Sequence, residues 1–121
     1  MSMIEPVRLA VDEAAIQRYA RITGDYNPIH VDPDFAAKTE MGGVIAHGTM
    51  SMNLIWQALE RSLGSEALRR IELDVRFRRP VRPGDLVEAA GEAEGDGWRV
   101  WVRNQRGEAV IEGTARYASR G

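Results

Sequence analysis

The chain of 121 residues contains no cysteine, and it has no long apolar run. Without cysteine there are no disulfide frameworks, thiolate zinc sites or cysteine nucleophiles. No segment approaches the roughly 20 apolar residues needed to span a bilayer, so we expect no membrane association. Glu5, Pro6 and Arg8 stand where a signal peptide would have an apolar core. We therefore expect an unprocessed, cytoplasmic protein.

An excess of charge of either sign is also missing. The 16 Lys and Arg residues nearly balance the 18 Asp and Glu residues, which gives a net charge of -2. Such a chain has no general attraction for polyanions, and we expect no nucleic-acid partner. The hydrophobic fraction of 44% is enough to fill one core at this length. The sequence therefore predicts a single domain over residues 1–121.

The first half of the chain has helical periodicity. Apolar side chains recur on one face of residues 11–22, with Asp12 as a candidate N-cap and Gly24 as a terminator. A short helix is predicted for residues 32–38, because Asp32 and Pro33 form a typical helix start. Residues 48–63 are apolar nearly all round, which indicates a helix that is buried on most sides.

After Gly64 the apolar residues alternate with polar ones, which is typical of strands with one buried face. Strands are predicted at 71–77, 85–93, 98–103 and 109–117, and a further strand is a candidate at 7–10. The short connections favour an antiparallel meander of the four main strands. We expect an α+β domain in which the sheet wraps around the buried helix. A flat sheet with the helix laid across it fits the same pattern.

More specifically, the buried helix is predicted to pack against the apolar face of the first main strand. The residues expected in this contact are Met50, Leu54, Ile55 and Ala58 of the helix and Ile71, Leu73, Val75 and Phe77 of the strand.

The chain has two histidines, His30 and His47, and both lie in the aperiodic stretch between the first helix and the buried helix. Gly24 and the Asn27-Pro28 pair favour turns that fold Asp25 back toward His30. Imidazole accepts a proton near neutral pH, and a carboxyl group orients a water or delivers a proton. Such a pair suits hydration of a polarised double bond or hydrolysis of a thioester. Turn capping by Asp25 and Asn27, with a structural His30, explains the spacing equally well.

A second candidate element is the Gly48-Thr49 pair, which begins the buried helix directly after His47. The unpaired N–H groups at a helix start lie at the positive end of the helix dipole and can bind a developing oxyanion. Taken alone, these residues are better explained as an N-cap with His47 as a packing residue.

Four arginines, Arg76, Arg78, Arg79 and Arg82, form a basic cluster near the end of one predicted strand. They are candidates for binding the phosphates of a carrier such as coenzyme A, although a solvated sheet face explains each of them as well. The chain has no metal-site spacing, Gly-x-Ser-x-Gly turn, phosphate loop or dinucleotide fingerprint. We therefore expect no metal ion and no separate cofactor.

The segment Tyr19–Asp32, followed by Phe35-Ala36 and then by Gly43–Gly48, closely resembles the hydratase motif of the MaoC-like family, the R-specific enoyl-CoA hydratases. The resemblance implies a hot-dog fold, usually assembled as a homodimer or a dimer of dimers. It also implies reversible hydration of a trans-2-enoyl-CoA to an (R)-3-hydroxyacyl-CoA, with coenzyme A as part of the substrate.

In the family motif, Asp25 and His30 match the catalytic pair that activates one water, and the Gly48 N–H matches the group that binds the thioester oxygen. On this basis Asn27, His47, Gly48, Thr49 and Trp56 are predicted to bind or frame the substrate. Trp56 replaces a residue that is often small in the family. It lies roughly 12 Å along the helix from Gly48, where an indole would close the acyl tunnel unless it faces the opposite side as ordinary core.

Two other functions fit the same resemblance. One is a hot-dog acyl-CoA thioesterase, and the other is a non-catalytic hot-dog subunit that binds acyl-CoA. The presence of both Asp25 and His30 favours the hydratase.

Overall fold

A computed structural model describes residues 3–118, and this part of the chain forms one antiparallel sheet and five helices. Residues 1, 2 and 119–121 of the predicted domain lie outside the described residues. In chain order the elements are β1 Met3–Ala10, α1 Glu13–Thr23, α2 Pro28–Val31, α3 Pro33–Ala37, α4 Gly48–Leu63, α5 Ser65–Leu68, β2 Ile71–Phe77, β3 Leu86–Glu94, β4 Gly97–Arg103 and β5 Ala109–Tyr117. The predicted α+β class is confirmed. The single-turn helices α2 and α5 were not predicted.

The five strands lie in the order β1-β3-β4-β5-β2. The β3-β4-β5 meander is confirmed, but β2 pairs with β5 and not with β3, so the predicted four-strand meander is wrong. Pro80 and Pro83 lack the N–H that a paired strand needs. The link instead crosses the sheet to β3, next to the β1 edge, where the carbonyl of Asp85 accepts a hydrogen bond from the N–H of Val11 (2.8 Å).

Helix α4 packs on the sheet mainly over β1, β3 and β4. The predicted helix residues Met50, Leu54, Ile55 and Ala58 are all buried. The prediction that they pack against β2 is wrong, because α4 lies over the β1 side of the sheet, and β2 is at the opposite edge. Of its apolar residues only Ile71 is buried, and Phe77 at its end is 56% exposed.

The two ends of α1 follow the predicted signals. The side chain of Asp12 accepts a hydrogen bond from the Ala15 N–H (2.7 Å). Gly24 has φ 73, in the left-handed region that glycine adopts without strain. Ile22 belongs to the apolar face predicted for residues 11–22, but its side chain is 81% exposed. Gly24 directs the chain out of the helix into residues 25–47, which carry both histidines.

Within residues 3–118, no helix is both long enough and apolar enough to cross a membrane.

Candidate active site

Two local hydrogen bonds shape the loop that carries Asp25 and His30. The Asp25 carboxylate accepts from the N–H of Asn27 (3.1 Å), and the Asn27 side-chain oxygen accepts from the N–H of Ile29 (3.1 Å). Asn27 is thereby the N-cap of α2, with Pro28 in its first turn. The capping interpretation and the functional one are therefore compatible, because the caps turn the chain so that α2 carries His30 back toward Asp25.

The ring of His30 is fixed by one hydrogen bond. Its Nδ1 lies 2.7 Å from the backbone oxygen of Ile45. A carbonyl oxygen only accepts, so Nδ1 carries the proton, and Nε2 of the neutral ring has a free lone pair. The side chain is half-buried. This arrangement gives His30 the tautomer that a general base requires.

One potential ligand atom from each of Asp25, His30 and His47 lies within 4.8 Å of the other two. The structure thus brings the two predicted catalytic residues together. An imidazole binds a metal in its own plane, whereas the His30 and His47 rings are stacked with centroids 4.0 Å apart and an angle of only 26° between them. No nearby point lies in both ring planes. The cluster is therefore better arranged for proton transfer than for a shared ion.

His47 is 2% exposed and contacts both predicted catalytic residues. Its Nε2–H donates to the backbone oxygen of Asp25 (2.9 Å), while its ring stacks on His30 and meets the edge of Tyr19 (4.9 Å, 62°). Its Nδ1 is buried and has no hydrogen-bond partner within the described chain. A buried polar atom of this kind costs about 1–3 kcal/mol of stability. The ring therefore needs an explanation other than stability.

A cavity of about 330 Å³ opens beside the two histidines. Gly48 and Ser51, one turn apart on α4, also line it, and the rest of its wall is mainly apolar. The apolar lining residues are Met41, Ile45, Ala46, Phe77, Pro80, Val81 and Val110. Asp25 lies next to His30 but does not line the cavity. The cavity therefore combines the His30 imidazole with a surface suited to a small apolar group.

The other predicted substrate-binding residues lie outside this cavity. Asn27 caps α2, and the hydroxyl of Thr49 accepts a hydrogen bond from Tyr19 (2.7 Å). Trp56 lines a separate depression with Asn53 and Gln57. At about 100° per residue, Trp56 lies about 80° around α4 from Gly48. Its predicted role in closing the acyl tunnel is therefore not supported within this chain.

The four arginines of the predicted basic cluster do not share one site in the structure. Arg78 and Arg79 line the cavity and form ion pairs with Glu112 (2.8 Å) and Glu108 (3.7 Å). Arg76 lies within β2 and lines a different depression, and Arg82 lies near Gly43.

Three contributors to the site were missed in the sequence: the Ile45 carbonyl, Ser51 and Phe77. Ser51 was detectable, because a residue three positions after Gly48 lies on the same helix face. Phe77 was not, since strand alternation assigned it to the core.

A comparison with protein families identifies the family of this chain. The model of the MaoC like domain matches residues 2–117. The chain belongs to this family.

Two curated relatives illustrate the match. The 3-hydroxybutyryl-CoA dehydratase of Methylorubrum extorquens is 38% identical over 88 residues, which cover 73% of this chain and 56% of that protein. The (R)-specific enoyl-CoA hydratase of Rhodospirillum rubrum is 34% identical over 79 residues, which cover 65% of this chain and 55% of that protein. The matched part thus spans about half the length of these relatives. The names of these two relatives describe a dehydratase and a hydratase that act on CoA thioesters.

Solved structures confirm the hot-dog fold. The R-hydratase PhaJ1 from Pseudomonas aeruginosa has a TM-score of 0.77 and 28% identity, covering 96% of this chain and 80% of its own. The (R)-hydratase from A. caviae has a TM-score of 0.76 over 97% of both chains. At 24% identity it supports the fold alone.

Proposed function

We propose that this chain catalyses the reversible hydration of trans-2-enoyl-CoA thioesters to (R)-3-hydroxyacyl-CoA. The observation that carries the proposal is the pairing of His30 with Asp25. The hydrogen bond to the Ile45 carbonyl leaves His30 Nε2 as an acceptor. An Asp25 carboxylate oxygen lies within 4.8 Å of a ring nitrogen of His30. One water fits between a base and a carboxylate at such a distance.

In the proposed reaction, the Asp25 carboxylate orients the water by accepting a hydrogen bond, and His30 Nε2 accepts the other water proton. The water oxygen forms a bond to C3 as the C2=C3 π bond opens, and the protonated His30 then donates the proton taken from water to C2. One water is consumed and no oxidant or reductant is needed. The reverse sequence removes water from the 3-hydroxyacyl thioester.

The proposed oxyanion site is the backbone N–H of Gly48. This residue begins α4, and within the described chain no side chain caps this helix start. A free N–H at the positive end of the helix can stabilise the negative charge that develops on the thioester oxygen. The same contact polarises the double bond toward attack at C3.

The apolar wall of the cavity suits the acyl group, and its two arginines suit a phosphate-bearing carrier. Arg78 and Arg79 are both about half exposed, with 49% and 55% of their side chains accessible. Their present carboxylate partners are exchangeable surface groups. Coenzyme A is part of the substrate in this proposal, and no separate cofactor is required.

The proposed assembly is a homodimer at least, formed through β2. The other edge strand, β1, contains Pro6, and its register with β3 shifts between Ile4 and Val7. Proline and bulges both hinder edge pairing. In contrast, β2 pairs with β5 in unbroken register and has no proline. Light scattering should give at least twice the monomer mass of 13.5 kDa, and a monomer mass at micromolar concentration would contradict the assembly. Hydrogen exchange should slow for β2 amides, but not for β1 amides, as the protein concentration is raised.

The decisive assay is incubation of the purified protein with crotonyl-CoA while enoyl absorbance and free thiol are both followed. A hydratase lowers the absorbance without releasing thiol, a thioesterase releases thiol, and a binding subunit does neither. Product oxidised by an (R)-specific but not by an (S)-specific 3-hydroxyacyl-CoA dehydrogenase supports the stereochemistry. The His30→Ala variant is the control for contaminating activity. Thiol release, or no reaction at all, would overturn the proposal.

A further inference from the structure

We propose that His47 is a positioning residue that fixes Asp25 and His30 relative to each other, through one hydrogen bond and one stacked ring. This inference rests on the proposed function. It replaces the predicted role of His47 in binding substrate.

The hydrogen bond connects the Asp25 loop to the rigid part of the molecule. Asp25 is exposed, and its other hydrogen bonds are local, with Thr23 and Asn27. His47 lies 22 residues away, directly before α4, and is buried. Its N–H to the Asp25 carbonyl is therefore a contact that fixes the loop against the central helix.

The stacked ring restrains the second member of the pair. His30 Nδ1 is held by the carbonyl of Ile45, two residues before His47, and one face of the ring lies against His47. A ring flip would break the first contact, and a tilt would break the second. The segment Ile45–His47 therefore determines the direction of the His30 Nε2 lone pair.

Neither nitrogen of His47 is available to a substrate. Nε2–H is already donated to Asp25, and Nδ1 is buried without a partner within the described residues. A phenylalanine would fill the same space without an unpaired nitrogen. The hydrogen-bond donor is thus the property that distinguishes histidine at this position from an apolar ring.

The kinetic test separates the two contacts. His47→Gln keeps an N–H donor but loses the ring, His47→Phe keeps the ring but loses the donor, and His47→Ala loses both. We expect kcat for crotonyl-CoA hydration to fall on the order of 10-fold in each single-contact variant and on the order of 100-fold in His47→Ala. KM should stay within about threefold of the wild-type value. Val87→Ala, a buried substitution in β3 away from the site, is the control for lost stability alone.

Two kinetic outcomes would overturn the proposal. A raised KM with unchanged kcat would assign His47 to substrate binding. Wild-type kcat in His47→Phe, with lowered thermal stability in His47→Gln, would assign it to packing.

A readout without substrate tests the geometry independently of the proposed function. The chain has only two histidines, so His47→Phe identifies the His30 imidazole signals in a nitrogen-15 NMR spectrum. In the wild type these signals should show the Nδ1–H tautomer. In His47→Ala and His47→Gln the stacked ring is missing, so the His30 ring can tilt away from the Ile45 carbonyl. The chemical shifts of its two nitrogens should then move toward the values averaged over the two tautomers. Unchanged His30 signals in both variants would overturn the positioning role. If the signals change but the wild type hydrates no enoyl thioester, the proposed function fails and the positioning role stands.

Discussion

The ring of Phe77 occupies the space that a side chain on Gly48 would need. A Cβ atom on Gly48 would lie 3.0 Å from Phe77 Cε1, which is closer than ordinary van der Waals contact. The end of β2 therefore lies directly against the start of α4, and both line the cavity. Gly48 offers this cavity only its backbone.

A methyl group at this position should disturb the site. In Gly48→Ala the Phe77 ring must shift, and the thioester must move away from the N–H. We expect kcat/KM for enoyl-CoA hydration to fall about 10-fold or more, because small misplacements at a reacting centre are costly. The double variant Gly48→Ala with Phe77→Leu relieves the crowding and should recover part of the loss. No recovery would show that Phe77 is not the group in conflict.

Removing either member of the proposed pair should lower turnover without unfolding the chain. For Asp25→Asn and for His30→Ala we expect kcat to fall about 100-fold or more, since one proton-transfer partner commonly contributes 10²–10⁴. The double variant should lose much less than the product of the two losses, because both residues act on one water. Steady-state kinetics with crotonyl-CoA and circular dichroism provide the two measurements. Near wild-type hydration by His30→Ala would exclude the paired mechanism.

Acyl-chain selectivity should depend on Phe77 and not on Trp56. Phe77 lines the cavity, whereas Trp56 lies in a separate depression. Phe77→Ala should enlarge the cavity and raise the activity ratio of twelve-carbon to four-carbon enoyl-CoA. Trp56→Ala serves as the matched aromatic control and should leave that ratio unchanged. The opposite result would restore Trp56 as the residue that limits chain length.

How much of the site could be predicted from the sequence depends on how far apart along the chain the contacting residues are. The caps by Asp12 and Asn27, and the return of His30 toward Asp25, are determined within a few residues and were readable from residue types. The bond from His47 to Asp25 joins residues 22 apart. It depends on how the loop is seated against α4, which no local pattern encodes.

The fold too has a part that local sequence patterns predict and a part that they do not. The bounds of β2 at Ile71–Phe77 were predicted from alternation, but its pairing with β5 was not. Alternation reports which face of a strand is buried, and it carries no information about the neighbouring strand. The direction of Trp56 stayed open for a related reason. Its helix is apolar nearly all round, so the pattern does not distinguish one side from another.

Helix α4 should be essential for stability. Leu54 is 3% exposed beneath the sheet, and Leu54→Ala removes most of its side chain and leaves a cavity. We expect the free energy of unfolding to fall by about 2–5 kcal/mol. Gln57→Ala, at an exposed position on the same helix, should change it by less than about 0.5 kcal/mol. Urea titration of both variants checks the difference. A loss below about 1 kcal/mol for Leu54→Ala would contradict a central role for this helix.

Acid should destabilise the fold through Glu108. Hydrogen bonds from Asn104 and Arg106, together with the nearby charge of Arg79, hold the pKa of the Glu108 carboxyl below its ordinary value of 4.5. A group with a lowered pKa in the folded state stabilises the fold above its unfolded pKa, and this contribution is lost as the pH falls. Between about pH 6 and about pH 3.5, the wild type should therefore lose more unfolding free energy than Glu108→Gln. Equal losses in urea titrations at the two pH values would show that the carboxylate contributes nothing to folding.

The unequal edges of the sheet limit how copies of this chain can associate. A strand interrupted by Pro6 and a register shift cannot serve as a template for another strand along its whole length, whereas β2 can. When two copies pair through β2, each uses its only regular edge, and both outer edges of the joined sheet are then β1. Strand-by-strand growth stops at that point. In the proposed dimer, β1 thus protects the fold against fibril formation.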